Sequence, residues 1–207
     1  MIRGLVFGLM LLCAPVAVAQ QILPALYDVI GVAVGDVLNI RAKPSANSAI
    51  VGTLPRNAKS VEVVAVDATG TWASVNMGEG SGYASMRFLA QQDGPDWGAL
   101  EQPLHCIGTE PFWALGFDPA TGMASLSDPE TPDRAAVISA VWPNNLYQTT
   151  AAIAFGGAGF DGIATLNGES CSDGMSDTAY GIAVSLFMRD ASGAASAAFG
   201  GCCSLTP

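Results

Sequence analysis

Positive charge is scarce in this chain: 8 Lys and Arg stand against 18 Asp and Glu, a formal net charge of −10. Neutralising a phosphate backbone requires clustered cations, so nucleic acid is excluded as a direct partner. Histidine occurs once, as His105, which excludes a multi-histidine metal site and a histidine relay. Beyond the N-terminus no apolar run approaches the ~20 residues of a membrane-spanning helix, so no transmembrane anchor is expected in the mature protein. No phosphate-binding loop, dinucleotide fingerprint or Ser-His-Asp set is present, and no cofactor is expected. What the chain does have is an apolar half, 24 glycines and 12 prolines. That composition predicts a real core, many turns and short strands, hence an all-β protein.

Residues 1–19 have the pattern of a signal peptide. Arg3 supplies a basic start, Leu5 to Ala14 is apolar apart from Gly8, and Ala17-Val18-Ala19 is the small-x-small pattern cut by signal peptidase. The mature chain is expected to begin at Gln20 and to reside in the periplasm of a Gram-negative bacterium. Cys13 does not fit a lipidation site, because Leu12 precedes it where a small residue is required. Export would place Cys106, Cys171, Cys202 and Cys203 in an oxidising compartment, where disulfides persist.

Charge divides the mature chain in two. Residues 20–92 hold five acids and five bases, whereas 93–207 hold thirteen acids against Arg134 and Arg189 alone, a net of −11. All four mature cysteines lie in the second part. Gln91 to Asp96 is polar and contains Gly94 and Pro95, so a linker is expected over 93–103, separating domains at 20–92 and 104–207.

In the first domain, apolar segments at 29–40, 49–54, 60–66, 71–75 and 82–84 alternate with turn chemistry at Lys43-Pro44-Ser45, Pro55-Arg56-Asn57, Ala68-Thr69-Gly70 and Met77-Gly78-Glu79-Gly80. Five strands in so short a span leave no room for crossover helices, which predicts a small antiparallel barrel. The run Asp36-Val37-Leu38-Asn39-Ile40-Arg41-Ala42-Lys43-Pro44-Ser45, followed by Ile50 to Pro55, Trp72, Gly82-Tyr83 and Phe88-Leu89, resembles the bacterial SH3 domain over 26–90. Tyr83 stands where that family usually carries Trp. The resemblance implies an extracytoplasmic binding module directed at cell-wall peptide or a partner protein of the envelope. Trp72 and Tyr83 offer flat faces with polar tips, and Arg41 offers a fork for carboxylates, so these three are the candidate ligand contacts. A half-buried structural role for Trp72, and a loop-holding role for Arg41, are the alternatives.

The second domain again reads as alternating strands. Trp113, Leu115 and Phe117 share one face and Phe112, Ala114 and Gly116 the other. Ile182, Val184, Leu186 and Met188 alternate likewise, and Asp190 to Gly193 can turn the chain back. A hairpin about 190–193 would place Cys202 near Gly181 and Cys203 near Tyr180. An antiparallel barrel or sandwich stapled by disulfides is expected. Of three pairings, Cys202 with its neighbour Cys203 is strained; Cys106 to either of them, with Cys171 to the other, stays open. The blocks from Cys106 to Trp113, from Cys171 to Tyr180, and Gly201-Cys202-Cys203 resemble a family of uncharacterised bacterial envelope proteins and lipoproteins, which implies no reaction.

No catalytic set emerges. On a strand His105 points away from Cys106, so a cysteine nucleophile lacks its base. The spacing contains no C-x-x-C, and no metal is expected. A soft site built from His105, Met175 and reduced cysteines is the sharper alternative. Asp173 and Asp177 flank Gly174 in a loop that matches no calcium-binding hand, and an Asx turn on Asp173 is expected. Glu110 is expected to bond backbone amides at the barrel end, with ligand binding in the barrel mouth as the alternative. The resulting expectation is a non-enzymatic envelope binding protein; a redox- or metal-responsive protein acting through the cysteines is the alternative.

Overall fold

The computed structural model describes residues 22–145 and 149–205, so the expected signal peptide lies outside the described residues. The protein is all-β, with fifteen strands among the described residues, two 3-10 turns and no α-helix. Among the described residues no helix is long and apolar enough to cross a membrane.

The first seven strands are Ala25–Val29 (β1), Val37–Arg41 (β2), Ile50–Pro55 (β3), Val61–Val66 (β4), Trp72–Met77 (β5), Gly80–Ser85 (β6) and Leu89–Gln91 (β7). They form one antiparallel sheet in the order β3-β2-β6-β5-β4-β1-β7, with seven strands where five were expected and with β3 and β7 left as edges where a small barrel was expected. Tyr27, Ile40, Val63, Ala73, Val75 and Ala84 fill its core. The segment expected as one strand over 29–40 is broken, because Gly31 and Gly35 adopt left-handed φ values of 68° and 84° that only glycine takes readily. Alternation also fails in β4. A bulge after Val63 leaves Val63 and Val64 both buried. Val63 faces this sheet's core, and Val64 is covered from the other side by the second unit.

The next eight strands are Leu104–Thr109 (β8), Phe112–Asp118 (β9), Met123–Asp128 (β10), Thr131–Trp142 (β11), Thr150–Gly157 (β12), Phe160–Asn167 (β13), Ile182–Asp190 (β14) and Ala195–Leu205 (β15). Each pairs with the next, and β15 pairs with β8 to close an eight-stranded barrel. Trp113, Leu115 and Phe117 point inward, as do Ile182, Val184, Leu186 and Met188, so both expected alternations hold. The β14–β15 register is two residues off the expected one. Cys203 lies opposite Ile182 and Cys202 opposite Ala183, because the turn extends one residue further, to Ala194, and a bulge after Met188 adds the second. Cys106 is joined to Cys203 and Cys171 to Cys202, which resolves the open pairing. His105 is exposed while Cys106 beside it is buried.

Up-and-down order puts the connections β8–β9, β10–β11, β12–β13 and β14–β15 at one end of the barrel. The other end is closed. There Trp97 and Leu100, within the stretch read as a linker, are 2% and 3% exposed in the barrel core. Asp96 caps the 3-10 turn Trp97–Ala99 by accepting from Gly98 N at 2.9 Å. The first sheet docks at this closed end. Asn76 donates from Nδ2 to Ala179 O at 2.8 Å and accepts from Ala179 N at 3.0 Å. Asp177 N donates to Glu79 O at 3.1 Å, Leu205 N to the Glu62 carboxylate at 3.0 Å, and Leu26 packs on the barrel core.

Candidate functional site

The outer face of the first sheet carries all three side chains expected to contact a ligand. In antiparallel pairing, residues directly opposite share a face at about 5 Å. Tyr83 on β6 lies opposite Arg41 on β2 and opposite Ser74 on β5; Trp72 lies opposite Ser85, hence diagonal to Tyr83. All three are half-buried, while their strand neighbours Ile40, Ala73 and Ala84 are wholly inside. The strand period therefore presents this face away from the sheet's own core.

What covers part of that face is the second unit. A groove of about 420 Å³ runs between the two, and Tyr83 lines it. Leu23, Pro44, Val64 and Val66 supply apolar wall; Ser74, Tyr83, Asp67 and Glu169 supply polar groups; Ala179, Tyr180 and Gly181 close it from the barrel side. Trp72 and Arg41 flank the groove without lining it. Arg41 Nη1 donates to Ser48 O at 2.7 Å, and Ala42 N to Ala49 O at 2.9 Å. This closes the 42–49 loop, which carries Pro44 onto the groove rim. Arg41 thus positions a wall of the groove.

The electrostatics are acidic but mostly committed. Asp67 accepts from the Thr69 hydroxyl at 2.6 Å and from Trp72 N at 2.8 Å, and these bonds hold its carboxyl below the usual range. Tyr180 is pushed up by burial first and by the Asp173 carboxylate, 3.5 Å from its hydroxyl, second. Asp173 makes the expected Asx turn, accepting from Met175 N at 3.0 Å and Ser176 N at 2.9 Å; the bonds from Ser176 and Met175 lower its pKa. Its carboxylate is spent on the loop. Glu110 is exposed in the β8–β9 turn and makes no hydrogen bond among the described residues, contrary to the structural role expected of it. Both cysteine pairs are joined, so their sulfurs offer no thiolate to a metal or a substrate.

Two participants were not visible in the sequence. Tyr180 enters the groove because the Cys171–Cys202 bond and the Cys171↔Tyr180 bridge pin its loop. Glu62 is half-buried at the junction, and desolvation raises its pKa to about 7 despite the Leu205 N–H bond.

No curated protein and no solved structure is significantly similar to the chain. Residues 36–90, from the start of β2 into β7 and including Arg41, Trp72 and Tyr83, match the family model of the bacterial SH3 domain.

Proposed function

We propose that this is an exported, non-enzymatic binding protein of the cell envelope, whose SH3 domain contacts cell-wall peptide or an envelope protein at the Tyr83 groove. The observation that carries this reading is the match to a binding-domain family, combined with a groove in which an aromatic side chain meets apolar wall and free polar edges. An extended peptide suits such a groove, since Tyr83 and Pro44 supply contact area at low entropic cost and Ser74 and Glu169 supply hydrogen-bonding partners. The signal-peptide pattern of residues 1–19 and the two disulfides support export to an oxidising compartment.

Sedimentation of the mature chain with purified peptidoglycan tests this directly. The protein is expected in the pellet, and Tyr83→Ala, checked for an unchanged melting temperature, is expected to leave most of it in the supernatant. If the wild type stays in the supernatant, wall binding is wrong and the partner is a protein. If Tyr83→Ala pellets like the wild type, the groove is not the site.

A further inference from the structure

The second unit has an interior of its own, far from the groove. Its four hairpin turns surround a mouth, opposite the end closed by Trp97. Behind them lies a cavity of about 790 Å³ lined by Phe112, Trp113, Leu126, Phe160, Met188 and Phe199. An eight-stranded barrel is just wide enough to hold one small ligand when its interior is not filled by side chains. Here the closed half is packed with leucine, isoleucine and phenylalanine, and the mouth half is left open.

The polar groups in this mouth are unusual in sign and in state. Residues 93–207 contain only two bases, and both border the cavity; Arg189, next to inward Met188, turns outward onto Asp161, which leaves Arg134 as the base inside. Arg134 lies opposite the inward Leu126, so strand parity directs it into the barrel. Its guanidinium stacks 4.8 Å from the Phe160 ring centroid, which fixes its plane. Its Nε is buried without a partner, and its contact with Asp128 is a single long one, 3.4 Å from Nη2. The Trp113 Nε1 is likewise buried and unpartnered.

Of the acids at the rim, Glu130 is exposed to solvent, and the others nearby are engaged. Asp128 accepts from Glu130 N at 3.0 Å and Thr131 N at 2.8 Å, Asp190 from Ser192 N at 2.8 Å, and Asp161 from Arg189 at 2.7 Å. The two buried polar atoms left over are both donors, so the missing partner is an acceptor. A buried donor without an acceptor costs stability, and a charge-assisted bond is the strongest way to satisfy it.

We infer that the barrel mouth is a binding site for a small apolar carboxylate, its apolar body among the aromatic and aliphatic side chains and its carboxylate on Arg134. This site is separate from the SH3 groove and does not depend on wall binding. A fatty acid and an aromatic acid share this chemistry; the cavity's volume of about 790 Å³ and its three phenylalanines admit either.

Calorimetric titration of the intact disulfide-bonded protein with dodecanoate and with 2-naphthoate tests the site and separates the two. One molecule per chain is expected, and the tighter of the two identifies the body the cavity prefers. Arg134→Met is expected to weaken the preferred acid by about tenfold or more, as loss of one charge-assisted bond predicts. It is expected to leave the matching uncharged alcohol unchanged, and Arg134→Lys restores part of the loss. Ala197→Phe, which fills the mouth without touching a charge, is expected to abolish binding of acid and alcohol alike. Absence of saturable binding of both acids to the wild type overturns the proposal. So does equal affinity of wild type, Arg134→Met and Ala197→Phe.

Discussion

The two halves of this protein are both antiparallel β, yet they solve the same problem differently. The first leaves its sheet open, with β3 and β7 as edges, and holds it with a core of aliphatic side chains around Tyr27 and no disulfide among the described residues. The second closes on itself, so every strand has two neighbours, and ties β8 to β15, and the 171–180 loop to β15, by disulfides. An open sheet has a face and edges to offer a partner; a closed barrel has only its ends. Accordingly the groove forms on the face of the first, and the cavity opens at an end of the second.

The largest expected effect comes from removing the covalent tie peculiar to the barrel. Replacing Cys106 and Cys203 together by serine opens a loop of sequence separation 97. By loop-closure entropy this is expected to cost roughly 4–5 kcal/mol in urea unfolding. The Cys171/Cys202 pair, of separation 31, is expected to cost about 1 kcal/mol less. Equal unfolding midpoints for the two variants and the wild type would show that the barrel owes its stability to packing alone.

A second test addresses the junction through Glu62, whose pKa is raised from 4.5 to about 7 by burial. The folded state therefore keeps a proton that the unfolded chain has lost between those two values. This contribution is fully present below about pH 4.5 and is lost as pH rises through 7, a difference of up to about 3 kcal/mol. Glu62→Gln is expected to melt progressively higher than wild type from pH 5 to 8. A difference that does not change with pH would place the Glu62 carboxylate in solvent.

The smallest effect sharpens the question of whether the halves unfold as one. Asn76→Ala removes both bonds to Ala179 and leaves a peptide group at the junction unsatisfied. The expected cost is roughly 1–2 kcal/mol. Calorimetry is expected to show one transition in the wild type and a broadened or split one in the variant; two transitions already present in the wild type would show that the halves fold independently.

Much of this architecture was legible in the chain because it follows from local periodicity. The inward faces of β9 and β14 and the turn on Asp173 are consequences of side-chain alternation and turn chemistry, whereas which cysteine meets which stayed open until the fold brought them together. What was not legible arises where one part of the chain covers another. Val64 is buried and Glu62 half-buried against the second unit, and nothing in Val61-Glu62-Val63-Val64 signals that a barrel will dock there. β1 and β7 are short and pair with distant partners, so neither stands out as a strand. Of the three expected contacts, only Tyr83 enters the groove, because Trp72 and Arg41 occupy the same face to its sides. In the sequence Arg134 reads only as a charge, and its inward position opposite Leu126 follows from the β10–β11 register.

Closure of the barrel through β15 has a consequence for the order of events in biosynthesis. Since β15 pairs with both β14 and β8, residues 195–205 are the seam, and the barrel stays an open sheet with two edges until they emerge. Cys106 and Cys171 are both made long before their partners Cys203 and Cys202. The first sheet, complete by residue 91, can fold earlier from contacts closer in sequence. A chain released early would therefore carry a finished first sheet beside an unsealed, thiol-bearing one, which is the form most exposed to aggregation and to proteolysis.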